Sequence, residues 1–301
     1  MTEQKNSEKI KSSFIMGVRL NLGLTMGDVL SIIENSLLKN NKSNLICTTN
    51  AEFVLDAQKN VVFKDIINNS ALSIPDGLGI LLADRYLTMV ADLKPPLLVL
   101  KKFVSGLGLG LSVIFNAQKV VGRIPGVDLA YNICKLSHEK NYSIFFLGGR
   151  LKNISGKYIE SNVDVAKSAV SEVHKLYPNA NVIGGTSEFS HKESDDTATV
   201  NHIKECMRKN KISELDFLFV AYNHFNQERW IVRNATKIPA KVCIGVGGTF
   251  DYLAGYLPRK ESHRFEWFFR LLQQPWRFRR IFNAVIKFPS AVFLYSLKHK
   301  N

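Results

Sequence analysis

The sequence predicts an α/β fold built on a mostly parallel sheet with helices on both faces, and three observations predict it. Short apolar runs recur along the chain, and amphipathic stretches of helical length separate them. A hydrophobic fraction of 46% with 22% charged residues is ordinary for a chain with a real core. Strands separated by helices of this length form parallel sheets covered on both sides, and such sheets bind ligands beyond the C-terminal ends of their strands.

The expected strands are FIMGVRLNL (14–22), NLICT (44–48), ALSI (71–74), YSIFFLG (142–148), NVIGG (181–185), DFLFVAY (216–222) and KVCIGVG (241–247). Between them lie the helical patterns LTMGDVLSIIENSLL, AEFVLDAQKNVVFKDIINN, GVDLAYNICKLSHEK, DVAKSAVSEVHKLY and DTATVNHIKECMRKN. Two stretches break the rhythm. Residues 88–121 are rich in Leu, Val and Gly without helix–strand alternation, and their GLGLGL run at 106–111 reads as packing or flexibility. After Arg259 the chain turns aromatic and basic. The domain reading is therefore a catalytic domain over 14–258, with an extra hydrophobic segment at 88–121, and an appendage over 259–301.

Charge narrows the partners. The 301 residues carry +14, and ten Lys/Arg against two Glu fall from Arg259 onward. Polyanions are the favoured partners: nucleic acid, anionic lipid or phosphorylated small molecules. Cys47, Cys134, Cys206 and Cys243 are widely spaced, which points to neither a zinc site nor a disulfide framework and fits a reducing, cytoplasmic setting. The polar start MTEQKNSEKIKSS lacks the apolar core of a signal peptide, and no apolar run is long enough for a spanning helix.

Five loops carry candidate chemistry. In CTTNAEF, Thr48 and Asn50 sit at a strand end, where spacing alone favours helix capping by Thr49 or Asn50. In SIPDGLGI, Asp76 is either a turn former or a carboxylate on a rigid strand end, with Gly77 and Gly79 letting a substrate approach the backbone. A general base for a sugar hydroxyl needs such a carboxylate. In GRIPGVDLAYNI, Arg123 precedes a helix start and offers a planar fork to phosphate oxygens, while Asp128 complements the helix dipole. In VAYNHFNQERWI, Gln227 and Glu228 fall in the first turn of a helix, and Gln227 is placed to bind sugar or phosphate. In CIGVGGTFDYLAG, Gly245, Gly247 and Gly248 permit a tight turn toward a pyrophosphate, and Asp251 would accept from a uracil or ribose or cap the next helix. The spacing lacks a full GxGxxG, which disfavours a nicotinamide cofactor.

Taken in order, these loops resemble the WecG/TagA/CpsF glycosyltransferases, most specifically in TTNAEF, PDGLGI, RIPGVDL, NQERWI and GVGGTFDYLAG followed by EWFFRLLQQP. The resemblance runs from about residue 17 to residue 280. It implies a Rossmann-like fold with a C-terminal appendage that helps bind membrane and donor. It also implies an inverting transferase that uses a UDP-sugar and a polyprenyl-diphosphate-linked saccharide, with no cofactor. By the family pattern Asp76 is the catalytic base, Thr48 and Asn50 the polar pair beside it, Arg123 a substrate contact and Gln227 a donor contact. Gly245, Gly247, Gly248 and Asp251 form the nucleotide site, and Arg270 and Arg277 approach the diphosphate. Phe225 and Asn226 depart from the family's usual Pro or Lys before the Gln-Glu pair, the segment between Asp76 and Arg123 is longer than usual, and Arg259-Lys260-Glu261 replaces an Arg-Ala-Pro.

An inverting transfer needs one base and stabilisation of the departing diphosphate, the second of which arginines and backbone amides supply. No acidic pair with DxD spacing stands at a strand end, so no metal is required. In the tail, Phe278, Ile281, Phe282, Val285 and Ile286 are expected on one helical face and Arg277, Arg279, Arg280 and Lys287 on the other, a pattern suited to an anionic bilayer surface as well as to a helix packed on the core. The resulting expectation is a peripheral enzyme on the cytoplasmic face of a bacterial inner membrane, with a basic nucleic-acid-binding protein as the rival. No RNP-type, helix-turn-helix or zinc pattern supports that rival.

Overall fold

The computed structural model describes residues 12–94, 96–116, 122–150, 163–258 and 278–298, without the side chains of 111–116. Six parallel strands form one sheet in the order β4-β3-β8-β7-β5-β6. They are β3 (Asn44–Thr49), β4 (Leu72–Pro75), β5 (Ile144–Gly148), β6 (Val182–Thr186), β7 (Leu215–Ala221) and β8 (Ala240–Gly245). Each coincides with an expected run to within two residues at either end. These runs are nearly continuous in apolar residues because both faces of the sheet are buried. Ile46, Phe146, Phe219 and Ile244 point to one face, and Cys47, Phe145, Leu147, Val220 and Cys243 to the other.

On the first face lie α1 (Met26–Ile32, continued by a π turn over Ile33–Leu37), α6 (Gly126–Lys140), α7 (Val165–Leu176) and α10 (Thr249–Leu253). Their core includes Phe146 stacked between Phe219 at 5.5 Å and Phe250 at 4.9 Å. The second face is covered by α2 (Ala51–Ala57), α3 (Val61–Asn69), α4 (Leu78–Ala91), α8 (Asp196–Lys209) and α9 (Asn226–Asn234). The chain order places β7 and β8 between β3 and β5, so winding reverses in the middle of the sheet and opens a crevice at the strand ends there.

Three expectations change. The run at 14–22 is not one strand but a hairpin, β1 (Ser12–Ile15) and β2 (Val18–Asn21), pairing Ile15 with Val18. Met16 and Gly17 both take positive φ (52° and 75°), the geometry of a two-residue hairpin turn. Residues 51–69 are two helices, because the side chain of Asn60 turns back to accept from Phe63 N–H (3.0 Å) and starts α3. The stretch from 88 holds two helices instead of irregular chain: α4 runs to Ala91, the described residues between Asp92 and Leu97 are non-helical, and α5 spans Leu98–Asn116 with the GLGLGL run inside it. Residues 117–121 of that stretch lie outside the described residues.

The described part of the C-terminal tail is helical over 278–298, with a π turn at Asn283–Lys287. Phe288, Val292 and Ser296 are buried, one turn apart. Phe288 seats against Gly79 of α4, where an added Cβ would stand 3.8 Å from its ring. Tyr86 OH pairs with Ser296 Oγ at 3.2 Å, and Phe103 meets Phe293 edge-on at 6.1 Å. Phe278, Phe282, Val285 and Ile286 are exposed, and Ile281 is half-buried. Among the described residues no helix is long and apolar enough to cross a membrane.

The hairpin guards the open edge of β4. Asn21, itself buried, accepts from Ser73 N–H at 2.8 Å through its side-chain oxygen. Removing that acceptor leaves a buried N–H unsatisfied, so Asn21→Ala is expected to cost about 1–3 kcal/mol. Urea unfolding checks this, and a loss below that range would show that the edge is guarded by other contacts.

Candidate active site

The sequence-predicted residues that are described gather at the C-terminal ends of β4, β3, β8 and β7. At β3, Thr48 is buried, and its Oγ1 donates to Gly245 O at 3.4 Å, tying the β3 and β8 ends together. Asn50 caps α2, accepting from Glu52 N–H at 2.9 Å and Phe53 N–H at 3.3 Å. Capping, favoured by spacing alone, is thus its observed role, and its amide nitrogen makes no hydrogen bond among the described residues.

Asp76 follows β4, and its N–H donates to Thr49 O at 2.9 Å. Gly77 next to it takes φ 155° and ψ 144°, a conformation open essentially to glycine. Arg123 arrives from far along the chain. Ile124 N–H donates to Pro75 O at 3.0 Å, so the backbones at Arg123 and Asp76 flank one hydrogen bond. Gly126, the first residue of α6, packs on Thr48: an added Cβ would lie 3.1 Å from the threonine methyl. Glycine there lets the start of α6 rest on the end of β3. Asp128 falls in the first turn of α6, where its charge complements the helix dipole.

A second set stands where β7 and β8 end. Gln227 is buried. Its side-chain oxygen accepts from Gly247 N–H at 2.9 Å, and its amide nitrogen donates to Glu228 Oε1 at 2.7 Å. Glu228 is fully buried and accepts a second hydrogen bond from Phe225 N–H at 2.6 Å. Burial pushes its carboxyl up to about 7 against the opposing pull of those hydrogen bonds. Gly245 faces this pair so closely that any Cβ would overlap both side chains. Gln227 thus holds the glycine turn from beneath, a tighter engagement than a free donor contact. The departure at Phe225 is absorbed by the fold: the residue takes φ 69°, and its ring packs edge-on against Phe63 at 5.3 Å.

Gly247 and Gly248 form the turn itself, and Thr249 Oγ1 closes it on Val246 O at 2.6 Å. Asp251 lies in the first turn of α10. Its Oδ2 would be 3.6 Å from a Cβ at Gly248, and its backbone oxygen accepts from Leu257 N–H at 2.9 Å. Arg270 and Arg277 lie outside the described residues. Among those described, no group of three or more His, Cys, Asp or Glu is placed to hold a metal ion. All four cysteines are free thiols, and Cys47, Cys134 and Cys243 are buried.

Two features escape a reading of the sequence. Glu228 looks like an ordinary acid in a first helical turn, and only the neighbouring Gly245 hints that something must lie against it. The other is Arg280, whose Nε reaches Glu52 Oε2 at 2.5 Å and ties the tail to the helix that Asn50 caps. Beside it, His224 Nε2 lies 2.9 Å from Asp56 Oδ2, a hydrogen bond that holds the Asp56 carboxyl below its usual range.

The chain matches the sequence profile of the glycosyl transferase WecG/TagA/CpsF family over residues 14–96 and 102–301. It belongs to that family. It is 25% identical over 256 residues to an N-acetylglucosaminyldiphosphoundecaprenol N-acetyl-beta-D-mannosaminyltransferase of Bacillus subtilis, covering 84% of this chain and 80% of that one. Like-named proteins of Bacillus spizizenii (25%, 90% of this chain and 85% of that one) and Staphylococcus aureus (24%, 93% and 87%) are similar over still more of it. A nucleic-acid-binding role finds no support in these relatives.

The raised Glu228 carboxyl has a pH signature. The folded state holds its proton more tightly than the unfolded chain does, so the stability it adds is fully present below the ordinary value of 4.5 and is lost as pH rises through about 7. Thermal unfolding followed between about pH 4 and 8 should therefore show the wild type losing stability relative to Glu228→Gln as pH rises. Parallel curves would mean that Glu228 is ionised in the fold.

Proposed function

We propose that this chain is an inverting hexosyltransferase that moves a sugar from a UDP-sugar to a polyprenyl-diphosphate-linked saccharide in bacterial surface polysaccharide synthesis. One observation carries the proposal: Asp76, Thr48 and Arg123 converge at the β3 and β4 ends, immediately beside the Gly245–Gly248 turn. The names of the relatives support N-acetylmannosamine as the sugar and an N-acetylglucosaminyl-diphospholipid as the acceptor. Its uronic acid or another hexose remains within the same reading.

In this mechanism the acceptor hydroxyl oxygen attacks the anomeric carbon, and the bond from that carbon to the diphosphate oxygen breaks. The hydroxyl proton passes to the Asp76 carboxylate, and UDP departs with the electron pair. A single displacement of this kind inverts the anomeric centre and needs one base. Asp76 stands on a strand end whose backbone is held by hydrogen bonds from Asp76 N–H to Thr49 O and from Ile124 N–H to Pro75 O, so the backbone carrying the base is fixed before the substrate arrives. Thr48 and Asn50 are the neighbouring polar groups for the acceptor. Arg123, joined by Arg270 and Arg277, would meet the charge that grows on the leaving diphosphate. The Gly247–Gly248 turn, held by Gln227, admits the nucleotide close to backbone N–H groups, and Asp251 accepts from the uridine. No metal and no cofactor take part in this scheme.

The tail at 278–298 contributes a membrane contact through exposed Phe278, Phe282, Val285 and Ile286, with Arg279 and Lys287 beside them. Such a peripheral site on the cytoplasmic face of the inner membrane would present the catalytic crevice to a lipid-linked acceptor.

The test is UDP release from UDP-N-acetylmannosamine, with a short-chain polyprenyl-diphosphate-N-acetylglucosamine as acceptor and EDTA present. Asp76→Asn should lower kcat by about 10²–10⁴-fold with little change in donor KM. Near-normal turnover in that variant would remove Asp76 from the chemistry.

A further inference from the structure

Helix α5 is built inside out. The residues it turns toward the protein are Leu98, Lys102, Ser105, Gly106 and Leu109, at the spacing of one helical face. Lys102 is only 7% exposed and donates to Ser296 O at the end of the tail helix. Gly106 packs on the ring of Tyr86, 3.4 Å from where its Cβ would be. The opposite face carries Val99, Leu100, Phe103, Val104 and Leu107, each 51–59% exposed. A helix resting on a core in water puts its polar residues outside, whereas α5 buries Lys102 and turns five large apolar side chains outward.

The apolar face does not stop at α5. Leu97, Leu98, Val99, Leu100 and Phe103 line a groove of about 710 Å³ with Phe293 of the tail, and exposed Leu294 and Leu297 continue beyond it. Charge is one-sided around this surface. Residues 94–116 contain Lys94, Lys101 and Lys102, residues 278–298 contain Arg279, Arg280, Lys287 and Lys298, and neither segment contains an acid. Lys102 is buried and Arg280 is paired with Glu52, so the exposed cations of these two segments that pair with no acid among the described residues are Lys94, Lys101, Arg279, Lys287 and Lys298. An apolar face bordered by these cations complements a bilayer with anionic headgroups: the face meets the acyl region and the cations meet the phosphates.

We propose that the outward face of α5 is a second bilayer-docking surface, joined to the end of the tail helix at Phe293, Leu294 and Leu297, which seats the enzyme with α5 lying in the membrane interface. This rests on the reading of the chain as a transferase for a lipid-linked acceptor. Docking through two elements, α5 and the tail, orients the molecule on the membrane, whereas one helix alone leaves it free to roll.

Two variants of the full-length protein test it. The first is Leu100→Glu with Leu107→Glu, at positions exposed enough that thermal unfolding should match the wild type. Sedimentation with vesicles of phosphatidylglycerol and phosphatidylcholine should show a partition coefficient lowered ~10-fold or more, since two apolar side chains leave the interface and two negative charges enter it. The second is Val104→Cys in a Cys206→Ser background, labelled with an environment-sensitive nitrobenzoxadiazole. Its emission should rise and shift to the blue when the same vesicles are added. Vesicle binding without an emission change, or unchanged partition of the double variant, would overturn the docking role of α5. So would a wild-type dimer in buffer that the double variant converts to monomer while its vesicle binding stays intact, because the face would then belong to a second copy. UDP release with a water-soluble short-chain acceptor separates the two readings: its absence in the wild type counts against the transferase, while the label on α5 still reports whether that helix meets lipid.

Discussion

A carboxyl group buried beneath the strand ends holds the crevice together. Glu228 receives the N–H of Phe225 and the amide of Gln227, and Gln227 in turn receives the N–H of Gly247. Through this chain the loop after β7 and the loop after β8 are locked to the first turn of one helix. Burying a carboxyl is costly unless its oxygens are satisfied, and here both are hydrogen-bonded while the proton is retained up to about pH 7. The arrangement demands glycine at 245, since a side chain there would occupy the same space. A loop held so tightly can present backbone N–H groups to a ligand without reordering when the ligand binds.

The remainder of the crevice follows from the parallel sheet. With both faces covered by helices, polar side chains have few places to stand except the strand ends. Thr48 bonds across to Gly245, Asp76 hangs from Thr49 by a backbone hydrogen bond, and Ile124 brings the Arg123 segment to Pro75. The long excursion between Asp76 and Arg123 is spent on α4 and α5, which carry the apolar surface away from the crevice while returning the chain to the strand end.

Much of this was legible in the residues alone. Fully buried parallel strands read as unbroken apolar runs, so NLICT, YSIFFLG and DFLFVAY gave themselves away, and the Thr, Asp and Gly at or just past the ends of NLICT, ALSI and KVCIGVG marked the crevice. The hairpin at 12–21 was hidden because Met16 continues the apolar run through the turn. Helix α5 was hidden because a helix with lysine inside and leucine outside has no pattern that burial in a water-soluble core would produce. Spacing left the cap of α2 open between Thr49 and Asn50, and Asn50 takes it. The bond from Gln227 to Gly247 joins different loops, and no local spacing signals it. Glu228 shows the limit most clearly: a first-turn acid reads as a dipole partner until its neighbours are seen to leave it no water.

On the proposed function, the β7 and β8 loops form the nucleotide side of the crevice, while Asp76 does chemistry on the other. Calorimetric titration with UDP tests that division directly. Gln227→Ala should weaken UDP binding by about tenfold or more, the equivalent of one supported hydrogen-bonding turn, and Asp76→Asn should bind UDP as the wild type does. Equal UDP affinity in wild type and Gln227→Ala, or binding lost only in Asp76→Asn, would contradict the account.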